Sequence, residues 1–216
     1  MEFYPTAGFS DAMKKMNTMD ANIKSITLGL KLIGPAYTVK CYPGGIITCH
    51  KALGEVPEGY VLVVSGDGDP TGALWGELTS LEAMKKGVKG IVLDGAVRDV
   101  AEIRKLAFPT FAKHITPRVG SNRTVGTTGE AIVCGGVVVR NGDIIVGDDD
   151  GVIVIPKEEF DYINEKTKEI EEKERDIAIQ IKVGAHIADL IGMSCAIEEA
   201  DIERSKSKRH LTICKE

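Results

Sequence analysis

Glu77, Arg98 and Asp99 are the residues of this chain whose types and positions best suit chemistry on a small anion. Glu77 opens a helix-like segment behind the glycine-rich stretch 65–76, and Arg98 and Asp99 follow a short apolar run. A guanidinium group binds a carboxylate or a phosphate through paired hydrogen bonds, and carboxylate oxygens are hard ligands for a cation such as Mg²⁺. Free backbone amides at a helix N-terminus also attract anions. Together these groups predict a site for a small anion coordinated to a metal.

The elements around these residues are expected to bring them to one place. The apolar runs 61–64 and 90–94 are typical of strands buried on both faces. Helices are predicted over 77–86 and 100–106, so the order is β-α-β-α, which favours parallel neighbouring strands with right-handed crossovers. Ligands collect beyond the carboxyl ends of such strands, and we therefore expect the glycine loop and Arg98 at the same mouth.

The rest of the chain alternates between short strands and helices. Strands are predicted at 32–42, 109–112, 131–140, 143–146 and 151–155, and helices at 10–19 (capped by Ser10 or Asp11), 46–53 and 157–182. Asn141-Gly142 between two strands is a strong signal for a β-hairpin. Gly184 is expected to end the long amphipathic helix, and the charged residues after 197 are expected to fray.

Several conspicuous groups have simpler interpretations. Arg98 and Asp99 could instead cap the helix that follows and pair with surface charges, and their spacing does not decide between the two. The acidic stretches 67–69 and 148–150 contain or adjoin glycine and are interpreted as turns. The glycine loop has neither G-x-x-x-x-G-K-[ST] nor a G-x-G-x-x-G that opens a helix, so nucleotide binding is disfavoured. Three glutamates of the long helix are read first as a solvated face: Glu171, Glu172 and Glu174.

The composition favours a cytoplasmic protein built around one domain. The chain has 216 residues, 43% of them hydrophobic, which is ample for a self-sufficient core. A formal net charge of −5 without a long basic run excludes a broad nucleic-acid interface. No apolar run approaches the ~18 residues of a membrane span, and no signal peptide is expected.

The 5 cysteines are expected to be reduced thiols, because they are scattered and form no C-x-x-C pair. They are Cys41, Cys49, Cys134, Cys195 and Cys214. A catalytic Cys–His pair stays open, although nothing in the spacing favours one.

At these motifs the sequence resembles the family that includes the 4-hydroxy-4-methyl-2-oxoglutarate aldolases and the RraA-like regulators of RNase E. The resemblance covers roughly residues 10–184. Five segments carry it: Gly34-Pro-Ala36, Trp75-Gly-Glu-Leu78, Asp94-Gly-Ala-Val-Arg-Asp99, Phe108-Pro-Thr-Phe-Ala112 and 147–156. Aldolases of the family share an acid-x20-Arg-Asp motif, which Glu77, Arg98 and Asp99 match with 20 intervening residues.

The resemblance implies an α/β fold, a compact swivelling β/β/α sandwich with a C-terminal helix. The domain would span 1–197 and be followed by a charged tail at 198–216. The helix at about 157–183 would pack on a neighbouring subunit of a homotrimer or a dimer of trimers.

The resemblance also implies a class II pyruvate aldolase, a lyase that uses Mg²⁺ or Mn²⁺ and also decarboxylates oxaloacetate. Asp99 would bind the metal directly, and Arg98 would hold the pyruvyl carboxylate and face the developing enolate. Glu77 would position a water that protonates the enolate.

Two further sets of contacts follow from the resemblance. The backbone amides at the helix start would bind the same carboxylate; they belong to Gly76, Glu77, Leu78 and Thr79. An acid from the long helix of a neighbouring subunit, Glu174 or else Glu171, would reach the metal through a water.

Two other functions remain as alternatives. An RraA-like protein would inhibit an RNase E-type ribonuclease by contacting it, with no need for a metal site. A methyltransferase acting on menaquinone precursors is disfavoured, because the chain lacks a nucleotide-type glycine fingerprint.

The distal half of a 2-oxo acid substrate could be met by residues that follow a predicted strand, namely Lys113, His114, Arg118 and Arg123.

Overall fold

The computed structural model describes residues 2–121 and 124–213. The chain divides into two units, Met1–Lys168 and Glu169–Glu216. All of the described strands lie in the first unit.

The strands, in chain order, are β1 (Lys24–Ser25), β2 (Leu32–Lys40), β3 (Val61–Ser65), β4 (Ala73–Trp75), β5 (Gly90–Val97), β6 (Thr110–Ile115), β7 (Thr127–Thr128), β8 (Ile132–Cys134), β9 (Val137–Val139), β10 (Ile144–Asp148) and β11 (Gly151–Ile155). The helices of the first unit are α1 (Thr6–Ala12), α2 (Ile47–Glu55), α3 (Glu77–Lys85) and α4 (Val100–Leu106). A 3₁₀ turn at Lys157–Glu159 leads into α5 (Phe160–Lys182), which continues into the second unit.

A single sheet organises the first unit, in the order β1-β6-β5-β3-β2-β10-β11, with β4 beside β5 and β7 beside β2. The pairs β2–β3, β3–β5 and β5–β6 are parallel, which confirms the prediction from the β-α-β-α order. The last two strands, β10 and β11, form an antiparallel hairpin across the tight turn of 148–151.

The sheet is nearly closed. Asn17 and Met19 form backbone hydrogen bonds with Val154 and Val152 of the edge strand β11, at 3.0 and 2.9 Å. The same stretch of chain then continues into β1, which pairs with β6 at the opposite edge. A short segment thus links the two edges of the sheet.

Both faces of the parallel strands are buried. Along β3, Leu62 and Val64 pack into one apolar cluster, whereas Val61 and Val63 pack into another, as the alternation of side chains along a strand requires. The first cluster is covered by α2, α3 and α4 and includes Leu53, Ala83, Ile103 and Phe108. The second lies on the opposite face and includes Val92, Phe111, Ile145 and Val154. The predicted β/β/α sandwich with a C-terminal helix is confirmed.

Three local predictions were wrong. The first helix is α1, which begins after Pro5, so neither Ser10 nor Asp11 caps it, and the chain leaves helical geometry soon after Ala12. The predicted strand 131–140 is a hairpin, β8 and β9, that turns at Gly135-Gly136, where both residues have positive φ.

The Asn141-Gly142 turn was also misassigned, because it joins β9 to β10, which do not pair with each other. The Asn141 side chain accepts a hydrogen bond from the backbone N–H of Thr38, and Gly142 N–H donates to Ala36 O at 2.8 Å. The turn therefore docks on β2 instead of closing a hairpin.

The second unit is helical in its described part. It contains the end of α5 and two more helices, α6 (Ile187–Leu190) and α7 (Ser194–Ile213). Gly184 has φ +100° and its N–H donates to Ile181 O, so it ends α5 as predicted. The charged tail is helical through Ile213, and the fraying expected after 197 stays a prediction. The domain limits 1–197 and 198–216 stay predictions. In the described residues no helix is both long and apolar enough to cross a bilayer.

An ion-pair network joins the loop after α1 to the sheet. Lys113 Nζ lies 2.9 Å from Asp20 Oδ2 and 3.6 Å from Asp94 Oδ1, and Asp94 Oδ2 accepts a 3.0 Å hydrogen bond from Gly135 N–H. The hydrogen bond from Lys113 lowers the pKa of Asp20 from 3.8 to about 2. A carboxyl with a lowered folded-state pKa adds stability above its unfolded pKa and loses it as the pH falls through the folded value.

We expect Asp20→Asn to lower the free energy of unfolding at neutral pH by about 1 kcal/mol, because the pair is partly exposed. The difference from wild type should shrink as the pH falls from 3.8 to about 2. Urea denaturation at a series of pH values measures it, with the exposed Asp11→Asn as the matched control. A difference that stays constant across the acid range would contradict the assignment.

Candidate active site

A pocket of about 190 Å³ lies at the N-terminus of α3. Its polar lining comprises Gly76, Glu77, Thr79, Arg98, Asp99 and His50. Its apolar lining comprises Ile46, Ala73, Leu74, Trp75, Leu78 and Val119. The structure thus brings Gly76–Thr79 together with Arg98 and Asp99, the neighbourhood predicted from the two parallel strands.

Strand β4 sets the position of this pocket. It pairs in parallel with the end of β5, matching Ala73 with Ala96 and Trp75 with Val97. Arg98 N–H then donates to Trp75 O at 3.0 Å, which aligns the start of α3 with the residues that follow β5. This short strand was not predicted, and the stretch 65–76 was expected to be a loop throughout.

The peptide group of Gly76 is held by side chains of α3. The Thr79 hydroxyl accepts from Gly76 N–H at 3.0 Å and donates to Gly76 O at 2.8 Å. Ser80 Oγ also donates to Gly76 O and accepts a 2.8 Å hydrogen bond from the buried Trp75 indole. These bonds fix the first turn of α3 and leave the backbone N–H of Glu77 directed at Asp99 Oδ2, at 3.3 Å.

Asp99 adopts a left-handed backbone conformation, φ 55° and ψ 36°, at the start of α4. Its carbonyl accepts the first helical hydrogen bonds from Glu102 and Ile103, but its carboxylate makes no cap to the helix. The carboxylate instead accepts from Arg98 Nε, at 3.2 Å to Oδ1 and 3.1 Å to Oδ2, and from Glu77 N–H. The capping interpretation thus holds for the Asp99 backbone alone, since its side chain belongs to the pocket.

The donor set of the pocket fits a hydrated divalent cation. The described residues include no cluster of three or more metal-ligating side chains. The pocket does contain two carboxylates, of Glu77 and Asp99. Mg²⁺ commonly binds through one or two carboxylates and keeps several waters, so two acids suffice.

Glu171 and Glu174 lie in the part of α5 that belongs to the second unit. Glu174 is exposed, and the pKa of Glu171 is raised by partial burial and by the nearby negative charge of Glu174. Their predicted approach to a neighbouring subunit's metal stays a prediction.

The other charged candidates have different surroundings. Lys113 belongs to the ion-pair network with Asp20 and Asp94, and His114 Nε2 lies 3.1 Å from Gly68 O. Neither side chain lines the pocket. The carbonyl of Arg118 accepts from Ala73 N–H at 2.8 Å, while Arg123 lies outside the described residues. The acidic stretches 67–69 and 148–150 form turns, as predicted.

The described cysteines are free thiols, and Cys214 lies outside the described residues. The sulfur atoms of Cys41 and Cys49 lie 3.6 Å apart. Cys41 was predicted in a strand and Cys49 in the helix that follows it. Hydrogen bonding between them lowers the pKa of Cys41 and raises that of Cys49, and burial raises the pKa of Cys134 to about 12. Buried thiols of this kind are typical of apolar packing.

The sequence did not predict that His50 and Ile46 line the pocket. They lie on α2 and its N-terminal flank, one turn apart, and nothing in their spacing relates them to Arg98. Only the tertiary pairing of the chain brings α2 to this site.

Comparisons with known proteins agree with this architecture. The family model described as RraA-like, Aldolase/RraA, matches residues 6–154. The chain is 42% identical over 173 residues to the uncharacterized protein MJ0644 of Methanocaldococcus jannaschii, covering 79% of this chain and 83% of that one. It is 36% identical over 183 residues to a Halalkalibacterium halodurans protein, covering 84% and 87% of the two chains. That protein carries the provisional name 4-hydroxy-4-methyl-2-oxoglutarate aldolase.

A solved structure with a similar fold is that of the RNA-processing inhibitor RraA from a Thermus species. It has a TM-score of 0.65 and 29% sequence identity, and the match covers 73% of this chain and 94% of the other. The family model alone spans more than half of the sequence. The chain therefore belongs to the RraA-like family, which joins aldolases with RraA proteins.

Proposed function

We propose that the protein is a divalent-metal-dependent pyruvate aldolase. It would cleave 2-oxo acids of the 4-hydroxy-4-methyl-2-oxoglutarate type and decarboxylate oxaloacetate, with Mg²⁺ or Mn²⁺. One observation carries the proposal: Arg98 Nε and the N–H of Glu77 converge on the Asp99 carboxylate inside one pocket.

These contacts fit the binding of a pyruvyl carboxylate. Two donors from different elements, Arg98 Nε and Glu77 N–H, already bind one carboxylate, that of Asp99, and they would turn to the substrate carboxylate when Asp99 binds the cation. Leu78 and Thr79 continue the first turn of α3 along the same pocket, where backbone amides have no helical partner. A substrate carboxylate at this point would be held by Arg98 and the start of α3.

The two reactions share one chemical demand. Retro-aldol cleavage and β-decarboxylation both leave an electron pair on C3 of pyruvate, as an enolate. A divalent cation at Asp99 would supply positive charge against the keto oxygen and carboxylate. Arg98 adds a second positive group at the same point, and Glu77 would orient the water that returns a proton to C3.

The test is pyruvate release, coupled to lactate dehydrogenase, from oxaloacetate and from 4-hydroxy-4-methyl-2-oxoglutarate. We expect release with Mg²⁺ or Mn²⁺, at least a tenfold fall in rate with EDTA, and recovery when metal is restored. Metal without protein is the control, because free cations decarboxylate oxaloacetate slowly. Release no faster than this blank for both substrates would refute the proposed function.

A second candidate function is inhibition of an RNase E-type ribonuclease. It is favoured by the likeness to the solved RNA-processing inhibitor RraA. A pull-down against such a ribonuclease, run beside the pyruvate assay, separates the two candidates. Binding without pyruvate release would favour the inhibitor, and release without binding would favour the lyase.

We also propose a homotrimer or a dimer of trimers as the working assembly, with Glu174 or Glu171 of one subunit serving a neighbour's site. The second unit has many exposed apolar side chains, including Ile179, Val183, Ile187 and Ile191. Groups of exposed apolar side chains are typical of protein–protein contacts. The mass in solution, measured by light scattering, tests the assembly.

A further inference from the structure

We infer that His50 is a specificity-determining residue of this pocket, where its imidazole binds the distal carboxylate of a dicarboxylic 2-oxo acid. The inference rests on the proposed function, since it concerns the far end of the substrate of the same site. The inference gives α2 a role in the site, whereas the predicted catalytic residues lie at the starts of α3 and α4.

A chain of backbone hydrogen bonds places His50 at the far side of the pocket from Arg98. Next to the end of β5 lies β4, and Ala73 of β4 pairs with the segment 118–120 through Ala73 N–H to Arg118 O and Gly120 N–H to Ala73 O. That segment is followed by Ser121, whose carbonyl accepts from Ile46 N–H at 2.9 Å. His50 stands one helical turn after Ile46, on the same face of α2.

The order across the pocket is therefore β5, β4, the segment 118–120 and the start of α2. Neighbouring paired strands are ~4.8 Å apart, so the two steps from β5 to the segment 118–120 span roughly 10 Å of backbone. Arg98 and His50 both line the pocket, and they belong to the first and the last members of this hydrogen-bonded series. Ala73 and Val119 pair with each other in the middle of the series and also line the pocket, where they offer apolar surface to the carbon chain of a ligand.

Few other groups of the pocket can receive a second carboxylate. Among its described lining residues, Arg98 and His50 are the two side chains that can carry positive charge. Arg98 is committed to the proximal end, where it already meets a carboxylate. The Thr79 hydroxyl and the Trp75 indole donate to Gly76 O and Ser80 Oγ. His50 is exposed to the pocket, and a neutral or protonated imidazole offers at least one N–H donor.

A matched pair of substrates isolates the distal carboxylate. 4-Hydroxy-4-methyl-2-oxoglutarate cleaves to two pyruvates, and 4-hydroxy-2-oxopentanoate cleaves to pyruvate and acetaldehyde. The second compound has hydrogen in place of the distal carboxylate. We expect His50→Phe, which keeps a ring but removes the donor, to lower kcat/KM for the dicarboxylate about 30-fold, mainly through KM, and that for the monocarboxylate about threefold or less.

Two variants complete the design. His50→Gln retains an N–H donor and should recover most of the preference for the dicarboxylate. Lys51→Gln removes a cation from the neighbouring position of α2, where Lys51 contacts Glu55 and Thr128, and should leave the preference unchanged. Equal losses on both substrates in His50→Phe would overturn the inference. So would a loss of preference in Arg118→Ala or Arg123→Ala while His50→Phe retains it.

A binding experiment separates this inference from the proposed function. Isothermal titration with 2-oxoglutarate and 2-oxobutanoate in the presence of Mg²⁺ compares two ligands that differ by the same carboxylate. Tighter binding of 2-oxoglutarate that is lost in His50→Phe would support the inference even if neither aldol substrate is cleaved. Absence of any dicarboxylate preference in the wild-type protein would overturn it.

Discussion

Replacing Asp99 by asparagine should lower kcat/KM for pyruvate release by about 10³-fold, which corresponds to ~4 kcal/mol of transition-state stabilisation. Asparagine is nearly the same size and adopts the left-handed conformation that Asp99 has, φ 55°. It can still accept the hydrogen bond from Glu77 N–H. The change therefore removes the negative charge with little effect on the backbone, and a divalent cation would lose its proposed ligand.

Asp67→Asn is the matched control. Asp67 is also an aspartate at φ 55°, it pairs with Lys40, and it lies outside the pocket lining. We expect this variant to keep its activity within about twofold. Steady-state kinetics with oxaloacetate and thermal denaturation of both variants make the comparison. More than a tenth of wild-type activity in well-folded Asp99→Asn would exclude Asp99 as the metal ligand.

Adding one methyl group at Gly76 should reduce kcat/KM by about 10²-fold. The backbone of Gly76 is extended, so alanine fits its dihedral angles, but an ideal Cβ would lie 2.7 Å from Asp99 Oδ2 and 3.1 Å from Arg98 Cγ. Both side chains are partly exposed and can move away. Displacement by about 1 Å of groups that bind the reacting centre costs roughly this factor in rate.

Gly54→Ala in α2 separates this effect from a general response to alanine. A Cβ at Gly54 would meet nothing within 4 Å, and because Gly54 is in the last turn of α2, alanine adds less than the ~1 kcal/mol of a helix interior. We expect unchanged kinetics for Gly54→Ala, and for Gly76→Ala a loss of activity with a melting temperature within a few degrees of wild type. Full activity in Gly76→Ala would show that the close approach of Asp99 to the start of α3 is not required.

The parallel strands could be predicted from sequence because their composition reflects burial on both sides. The runs that became β3 and β5 are apolar throughout, and the helices between them begin and end near the predicted residues. Strand β4 could not be predicted in this way, since it has three residues within a glycine-rich stretch and depends on the end of β5, beyond the residues that pair with β3. Likewise, Asn141-Gly142 has the local chemistry of a hairpin, but its contacts with β2 decide its fold.

The residues of the candidate site also differ in whether the sequence could predict them. Glu77, Arg98 and Asp99 follow from the rule that loops after neighbouring parallel strands meet at one edge. His50 depends on a longer chain of contacts, through Ser121 and Ala73, whose pairings have no signature in the sequence. Lys113 illustrates the opposite case, because its strand position is correct but its side chain pairs with Asp20 instead of facing the pocket.

The irregular pairing within β5 gives different surroundings to residues in the strand and to those that directly follow it. Leu93 pairs with Ala112 and Ala96 with His114, so β5 has one more residue than β6 between these pairs. Asp94 lies within this bulge and belongs to the ion-pair network, whereas Arg98 follows the bulge and belongs to the pocket. A bulge re-aims the side chains that follow it. The ion pairs and the pocket thus depend on different residues of this short stretch, so each can be redesigned without replacing a residue of the other.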